Sequence, residues 1–114
     1  MKIITKLYSD NDIIVNEVNG YYEDNKLKFC EKDVSVIFDK DSKELVREND
    51  EMLMHFSFDI LNVTDSVVTL KEVNSSINLP IRTNNISISN NEIIIEYTLL
   101  TDNRNIKYEI NMED

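Results

Sequence analysis

The sequence alternates between short apolar runs and small polar clusters. Runs rich in Ile, Val, Leu, Phe and Tyr are interrupted, roughly every eight to fifteen residues, by clusters of Asp, Asn and Ser. Asp and Asn tolerate the backbone conformations that tight turns require, so this rhythm predicts antiparallel β-structure along the whole chain. The clusters are Ser9–Asp12, Asp24-Asn25, Lys40–Ser42, Asn49-Asp50, Thr64–Ser66, Asn74–Ser76, Asn90-Asn91 and Asp102-Asn103.

The apolar runs between the clusters predict a series of strands and no helix long enough to cover a sheet. The best helical candidate, Ser57–Asn62, is a single turn at most. We therefore predict an all-β chain with one domain over residues 1–114, folded as an antiparallel up-and-down (meander) barrel of about eight to ten strands. The predicted strands are Lys2–Tyr8, Asp12–Glu23, Lys26–Glu31, Val34–Asp39, Glu44–Arg47, Met52–Phe58, Val67–Val73, Ile77–Ser89, Glu92–Leu100 and Asn105–Met112.

Three features refine this prediction. Gly20 is the one glycine and lies inside a long strand, which predicts a bulge or bend that lets the strand serve two parts of the wall. Pro80 cannot donate to a ladder, so its strand should be at an edge or bulged there. A sandwich is the alternative architecture, but closure into a barrel would remove the exposed edges of so many Ile-rich strands.

The charge balance excludes some partners. The chain has 22 acidic and 12 basic residues, for a formal net charge of −10. Nucleic acid and anionic membranes carry the same sign, so we predict neither as a partner. Much of the negative charge lies in the predicted turns, where it solvates the loops; the alternative is an acidic surface that docks on a basic protein partner.

The sequence also indicates a compartment. Cys30 is the one cysteine, so no intrachain disulfide can form, and the N-terminus lacks the apolar run of a signal peptide. We therefore expect a cytoplasmic protein.

Catalytic and metal-binding patterns are absent from the sequence. His55 is the one histidine, and a His and a Cys alone indicate a surface side chain and a half-buried thiol rather than a dyad. The strand carboxylates Glu17, Glu72 and Glu96 have no spacing that would pair them. We predict no catalytic residues, no metal, no cofactor and no enzymatic activity.

Several residues resemble one family in order and spacing. Gly20-Tyr21-Tyr22 is followed by Lys26–Phe29, then by Arg47 before a turn; the later features are Met54, Phe56, Ile77–Thr83 and Ile93–Tyr97. This pattern resembles the YwiB-like family of small bacterial proteins, whose function is not assigned. The resemblance implies a calycin-type, lipocalin-like β-barrel and no established activity. Asn49 and Ser75-Ser76 stand where family members usually carry glycine.

Two arginines and two aromatic residues are the candidates for ligand binding. Arg47 and Arg82 fall in predicted strands, where an inward guanidinium could bind a ligand carboxylate and an outward one would form a cross-strand ion pair. Phe56 and Tyr97 belong to an aromatic set that either fills the core or lines a cavity.

These observations lead to two hypotheses. We expect a barrel that binds a small apolar or amphipathic ligand. The alternative is a filled barrel that acts through its acidic surface on a protein partner.

Overall fold

A computed structural model describes residues 1–113 of the protein. These residues form ten strands in a closed antiparallel barrel in which each strand pairs with its neighbours in the chain and β1 pairs with β10. The all-β class and the up-and-down order are confirmed. The strands are β1 (Lys2–Ser9), β2 (Asp12–Glu23), β3 (Lys26–Glu31), β4 (Val34–Asp39), β5 (Glu44–Glu48), β6 (Met52–Ser57), β7 (Thr64–Leu70), β8 (Ser75–Ile88), β9 (Glu92–Leu99) and β10 (Arg104–Glu113).

Alternation along each strand builds the core. In β10 the even-numbered residues from Ile106 to Met112 face the interior and the odd-numbered ones face out, as the sequence predicts. The core is mainly aliphatic and aromatic, and its fully buried side chains come from strands on all sides of the barrel. Those side chains include Ile3, Leu27, Val36, Phe38, Ile81, Ile93, Ile95 and Ile110.

Polar clusters supply residues with positive φ in four of the nine connections between the strands. Asp10, Asp24, Asn25, Asn74 and Asn103 all have φ between 50° and 65°. The two consecutive positive values at Asp24-Asn25 are typical of the two-residue hairpin that the sequence predicts there.

One predicted turn and one predicted helical turn are wrong. Thr64–Ser66 begins β7, where Ser66 is fully buried and its hydroxyl donates to the carbonyl of Leu79 at 2.7 Å. A serine can satisfy its hydroxyl within a sheet, so its presence in a polar cluster did not indicate a turn. Residues 58–63 connect β6 to β7 without helix.

Gly20 is the point at which β2 changes its neighbour. Residues Asp12–Asn19 pair with β1, and Gly20–Glu23 pair with β3. The Gly20 N–H donates to the Met1 carbonyl and the Met1 ammonium donates to the Gly20 carbonyl, both at 2.9 Å. The prediction that the strand serves two parts of the wall at Gly20 is confirmed.

The division of β2 leaves part of one strand unpaired. The side of Asp12–Asn19 that faces β3 has no ladder partner within residues 1–113. The expectation that closure removes every exposed edge is therefore wrong for this stretch, because β3 ends at Glu31 while β2 continues past it.

Pro80 marks a similar change in β8. This strand pairs with β7 up to Ile81 and with β9 from Ile81 onward, so Pro80 lies just before the β9 pairing begins. The Leu100 N–H donates to the Pro80 carbonyl at 3.0 Å, so Pro80 lies at the end of the β9 ladder, where its missing N–H removes only the last bond.

A methyl group at Gly20 should destabilise the barrel. A Cβ there would lie 2.4 Å from Ile3 Cδ1 and 2.6 Å from the Lys28 carbonyl oxygen, and the backbone oxygen cannot move freely. We expect Gly20→Ala to lower the free energy of unfolding by about 1–3 kcal/mol, measured by chemical denaturation. The neighbouring Asn19→Ala is the control and should cost clearly less; equal stability of Gly20→Ala and the parent would contradict this account.

Candidate functional site

A cavity opens at one end of the barrel. The turns between β1 and β2, β3 and β4, β5 and β6, β7 and β8, and β9 and β10 lie at this end, which we call the mouth. The cavity has a volume of about 290 Å³. Its wall is mostly apolar and consists of Leu7, Ser9, Leu45, Arg47, Met54, Phe56, Tyr97, Arg104, Ile106 and Tyr108.

The strand period places these side chains in one space. Leu45 and Arg47 are two residues apart on β5, and Met54 and Phe56 are two apart on β6, so each pair faces inward together. Arg47 pairs with Met54 across the two strands. The guanidinium is therefore on the inner face of the barrel.

Arg47 contacts a buried carboxylate. Its Nη1 lies 3.4 Å from Oε1 of Glu31, whose side chain is 7% exposed, and its guanidinium carbon lies 5.6 Å from the centre of the Tyr108 ring. Glu31 and the Tyr108 face both stabilise the positive charge. Arg47 makes no other ion pair and no hydrogen bond within residues 1–113, and 22% of its side chain remains exposed. Its remaining N–H donors are therefore available to the cavity.

Glu31 is held by several donors. Thr5 Oγ1 and Asn16 Nδ2 each donate to its Oε2 at 2.9 Å, and the Tyr108 hydroxyl donates to its Oε1. Three donors and an adjacent guanidinium compensate for the removal of this carboxylate from water. This buried polar network joins β1, β2, β3, β5 and β10 below the cavity.

Aromatic rings form one wall. The Phe56 and Phe58 rings are stacked with centroids 6.1 Å apart, and the Tyr97 ring lies 5.9 Å from Phe56 and 5.4 Å from Phe58. Burial raises the pKa of Tyr97 to about 12, partly opposed by Arg47. Tyr97 lines the cavity, and its hydroxyl makes no hydrogen bond to protein atoms among residues 1–113, so it stays a neutral donor and acceptor.

Burial also affects the other tyrosine. It raises the pKa of Tyr108 well above its ordinary value, and the carboxylate of Glu31 adds to the effect. The phenol thus stays protonated and continues to donate to Glu31.

Arg104 lies at the rim of the cavity. Its Nη2 lies 3.0 Å from Asp102 Oδ2 and its Nε 3.8 Å from Asp10 Oδ2, so two turn carboxylates neutralise it. This side chain is 45% exposed. It therefore offers less to a ligand than Arg47 does.

Three of the four predicted binding residues meet at this cavity. Arg47, Phe56 and Tyr97 all line it. Arg82 does not: it is exposed on the outer face of β8, between the inward-facing Ile81 and Thr83. The sequence placed both arginines in strands correctly, and the alternation of Ile77, Leu79 and Ile81 with Asn78, Pro80 and Arg82 already indicated the outward face for Arg82.

The other residues singled out in the sequence stay apart from the cavity. His55 lies outside on β6, with Nε2 3.3 Å from Glu44 Oε1. Cys30 is exposed rather than half-buried. Glu17 pairs with Lys2 at 3.0 Å, and Glu96 lies 4.0 Å from Lys107. Within the described part of the chain, no three His, Cys, Asp or Glu side chains cluster as metal ligands.

The buried network was missed at the sequence level, although a signal existed. Glu31 continues the two-residue period of the buried Leu27 and Phe29, and Thr5 continues that of Ile3. A carboxylate in phase with core residues predicts a buried, paired charge. Asn16 carries no such signal, because its contact with Glu31 depends on the stagger of β2 against β3.

Other depressions on the surface have less defined chemistry. One of about 400 Å³ lies at the rim beside Tyr8, Glu96 and Lys107, and has largely polar walls.

No helix in residues 1–113 is long and apolar enough to cross a membrane.

Comparison with known proteins supports the fold. No model of a protein family matches the chain, and no curated protein matches it. The chain is similar in structure to the ywiB protein from Bacillus subtilis, with a TM-score of 0.59 and 16% sequence identity over 99% of this chain and 89% of that one. At this identity the likeness concerns the fold alone.

Removing the charge of Glu31 should destabilise the protein. Glu31→Gln leaves the half-enclosed Arg47 without its carboxylate and introduces an amide among donors, so we expect the free energy of unfolding to fall by about 2–4 kcal/mol. Chemical denaturation measures this. Glu17→Gln breaks an exposed ion pair and should leave stability nearly unchanged; similar effects of the two variants would contradict the structural role of the network.

Alkaline pH should destabilise the protein partly through Tyr97. The folded protein keeps the phenol proton up to about pH 12, whereas the unfolded chain loses it near its ordinary pKa of about 10. The stabilisation is complete below about pH 10 and falls by at most about 3 kcal/mol as pH rises to 12. Tyr97→Phe should therefore show a shallower fall in unfolding free energy over this range than the parent. Identical slopes for Tyr97→Phe and the parent would contradict the assigned burial.

Proposed function

We propose that the barrel binds a small amphipathic ligand in the mouth cavity, with its acidic head group on Arg47. The observation that supports this most directly is the Arg47 guanidinium, with N–H donors free of protein acceptors, inside a mostly apolar cavity. An apolar wall with a few convergent polar groups is typical of small-molecule sites.

The volume limits the size of the ligand. About 290 Å³ is at the lower end of the range of ligand pockets, which begins at roughly 300 Å³. The interior below the cavity is filled by core side chains such as Leu27, Ile93 and Ile110. A short chain or a single ring therefore fits, and a long acyl chain does not.

The polar groups favour a carboxylate head. Arg47 can offer two parallel N–H donors, and the neutral Tyr97 hydroxyl adds a donor on the same wall. Glu31 neutralises part of the Arg47 charge, so a single carboxylate would be accepted with moderate rather than extreme affinity. Met54, Phe56 and Leu45 would contact the apolar part of the ligand.

Membership of the YwiB-like family is part of the proposal. The residue pattern from Gly20 to the C-terminus and the likeness to the ywiB protein support it. A non-catalytic role, a calycin-type relationship and a cytoplasmic location stay predictions from the sequence.

A matched pair of probes tests the proposal. Octanoate and octanol share an apolar chain and differ in the head group, so isothermal titration calorimetry should give octanoate at least about a tenfold lower Kd. Arg47→Met should remove that preference. Arg82→Met, which changes the outward arginine, should leave it intact.

A second variant separates binding from stability. Met54→Trp fills part of the cavity while both Arg47 and Glu31 are kept, and it should weaken binding of both probes. Circular dichroism checks that each variant is folded. Equal affinities for the two probes, or equal effects of Arg47→Met and Arg82→Met, would rule out the proposed site.

A further inference from the structure

The unpaired edge of β2 carries a second inference, independent of the cavity. Residues Ile13, Ile14 and Val15 are exposed by 60%, 54% and 57%, although all three are β-branched strand residues. They lie in the stretch Asp12–Asn19, which pairs with β1 on one side and with no strand on the other within residues 1–113. We call this stretch the β2 edge.

The backbone of the β2 edge has a defined set of free groups. Met1 and Gly20 exchange two hydrogen bonds, so by antiparallel alternation the even-numbered residues of β2 bond to β1. The odd-numbered residues Ile13, Val15 and Glu17 then point their N–H and C=O groups away from β1. These groups form a template for another strand.

The local charge favours a second copy of this chain as the occupant. Glu17 is the charged residue between Ile13 and Val18, and Lys2 neutralises it at 3.0 Å. The β2 edge is therefore close to neutral in a protein of net charge −10. A basic partner would find no unpaired carboxylate between Ile13 and Val18. A second copy of the chain would meet no charge repulsion along the β2 edge.

An antiparallel pairing about a two-fold axis through Ile14 is self-complementary. It places Ile13 opposite Val15 of the other copy, and Ile14 opposite its own equivalent, so the exposed apolar side chains cover one another. Asp12 then faces Asn16 and Glu17 faces Asn11, so no two carboxylates oppose each other. Each Ile13–Val15 pair exchanges two main-chain hydrogen bonds, about four in all.

We propose that the protein forms a homodimer by antiparallel pairing of the β2 edges of two copies. Because each copy uses its own β2 edge, the contact is closed and does not propagate into fibres. The corresponding one-sided stretch of β8 ends at Pro80, whose carbonyl already accepts the Leu100 N–H at 3.0 Å.

Concentration-dependent mass measurement tests the dimer. Analytical ultracentrifugation at concentrations up to about 1 mM should show a species of twice the 13.4 kDa chain mass that dissociates on dilution. Val15→Glu should weaken association at least about tenfold, because it buries a carboxylate in the contact. We expect the β1–β2 hairpin of this variant to stay folded, because Lys6 on β1 lies opposite position 15 and faces the new carboxylate.

The control and the cross-link make the test specific. Ile77→Glu changes a similarly exposed strand residue, 50% exposed on β8, and should dimerise like the parent.

In a Cys30→Ser background, Ile14→Cys should form an intermolecular disulfide under mild oxidation and Ile77→Cys should not. A parent that stays monomeric throughout, or a dimer unaffected by Val15→Glu, overturns the proposal; a dimer that Ile14→Cys fails to cross-link overturns the register.

Discussion

The barrel closes through a residue without a side chain. Gly20 bonds to Met1 on one side of β2 and lies opposite Phe29 on the other, at distances that leave no room for a Cβ. The wall of the barrel is continuous because β2 pairs with β1 on the mouth side of Gly20 and with β3 from Gly20 onward. Because β2 changes its neighbour at Gly20, the strands end at different heights at the mouth. This offset sets the positions of the cavity and of the β2 edge.

Both the cavity and the β2 edge follow from that stagger. β3 and β4 turn back at Lys32-Asp33, whereas β1 and β2 continue to Asp10-Asn11. At the mouth, β1 and β2 therefore extend further than β3 and β4 do. The early end of β3 leaves Asp12–Asn19 without a ladder partner on that side, and it brings Glu31 beside Asn16, where the buried network forms beneath Arg47. A barrel with level strands would have neither a free edge nor this network.

The sequence predicted the features that depend on local rules. Strand alternation and turn chemistry gave the order of strands, the Asp24-Asn25 hairpin and the inward faces of β6 and β10. The errors arose where a tertiary contact decides: Ser66 satisfies its hydroxyl on Leu79 inside the sheet, so β7 begins three residues before its predicted start. Likewise, Arg47 was found as a candidate, but its partner Glu31 depends on register, which one sequence does not specify.

The position of the charges affects how a ligand would reach Arg47. Asp33, Asp50 and Glu72 lie in the turns around the mouth, whereas Arg47 lies below them on the inner face of β5. An anionic ligand is repelled while it crosses the rim and attracted once it reaches the cavity. Screening by salt weakens interactions of exposed charges much more than those of enclosed ones. The acidic rim therefore bears mainly on the rate of entry and the enclosed arginine on retention, so the large net charge of this protein and an anion-binding interior are physically compatible.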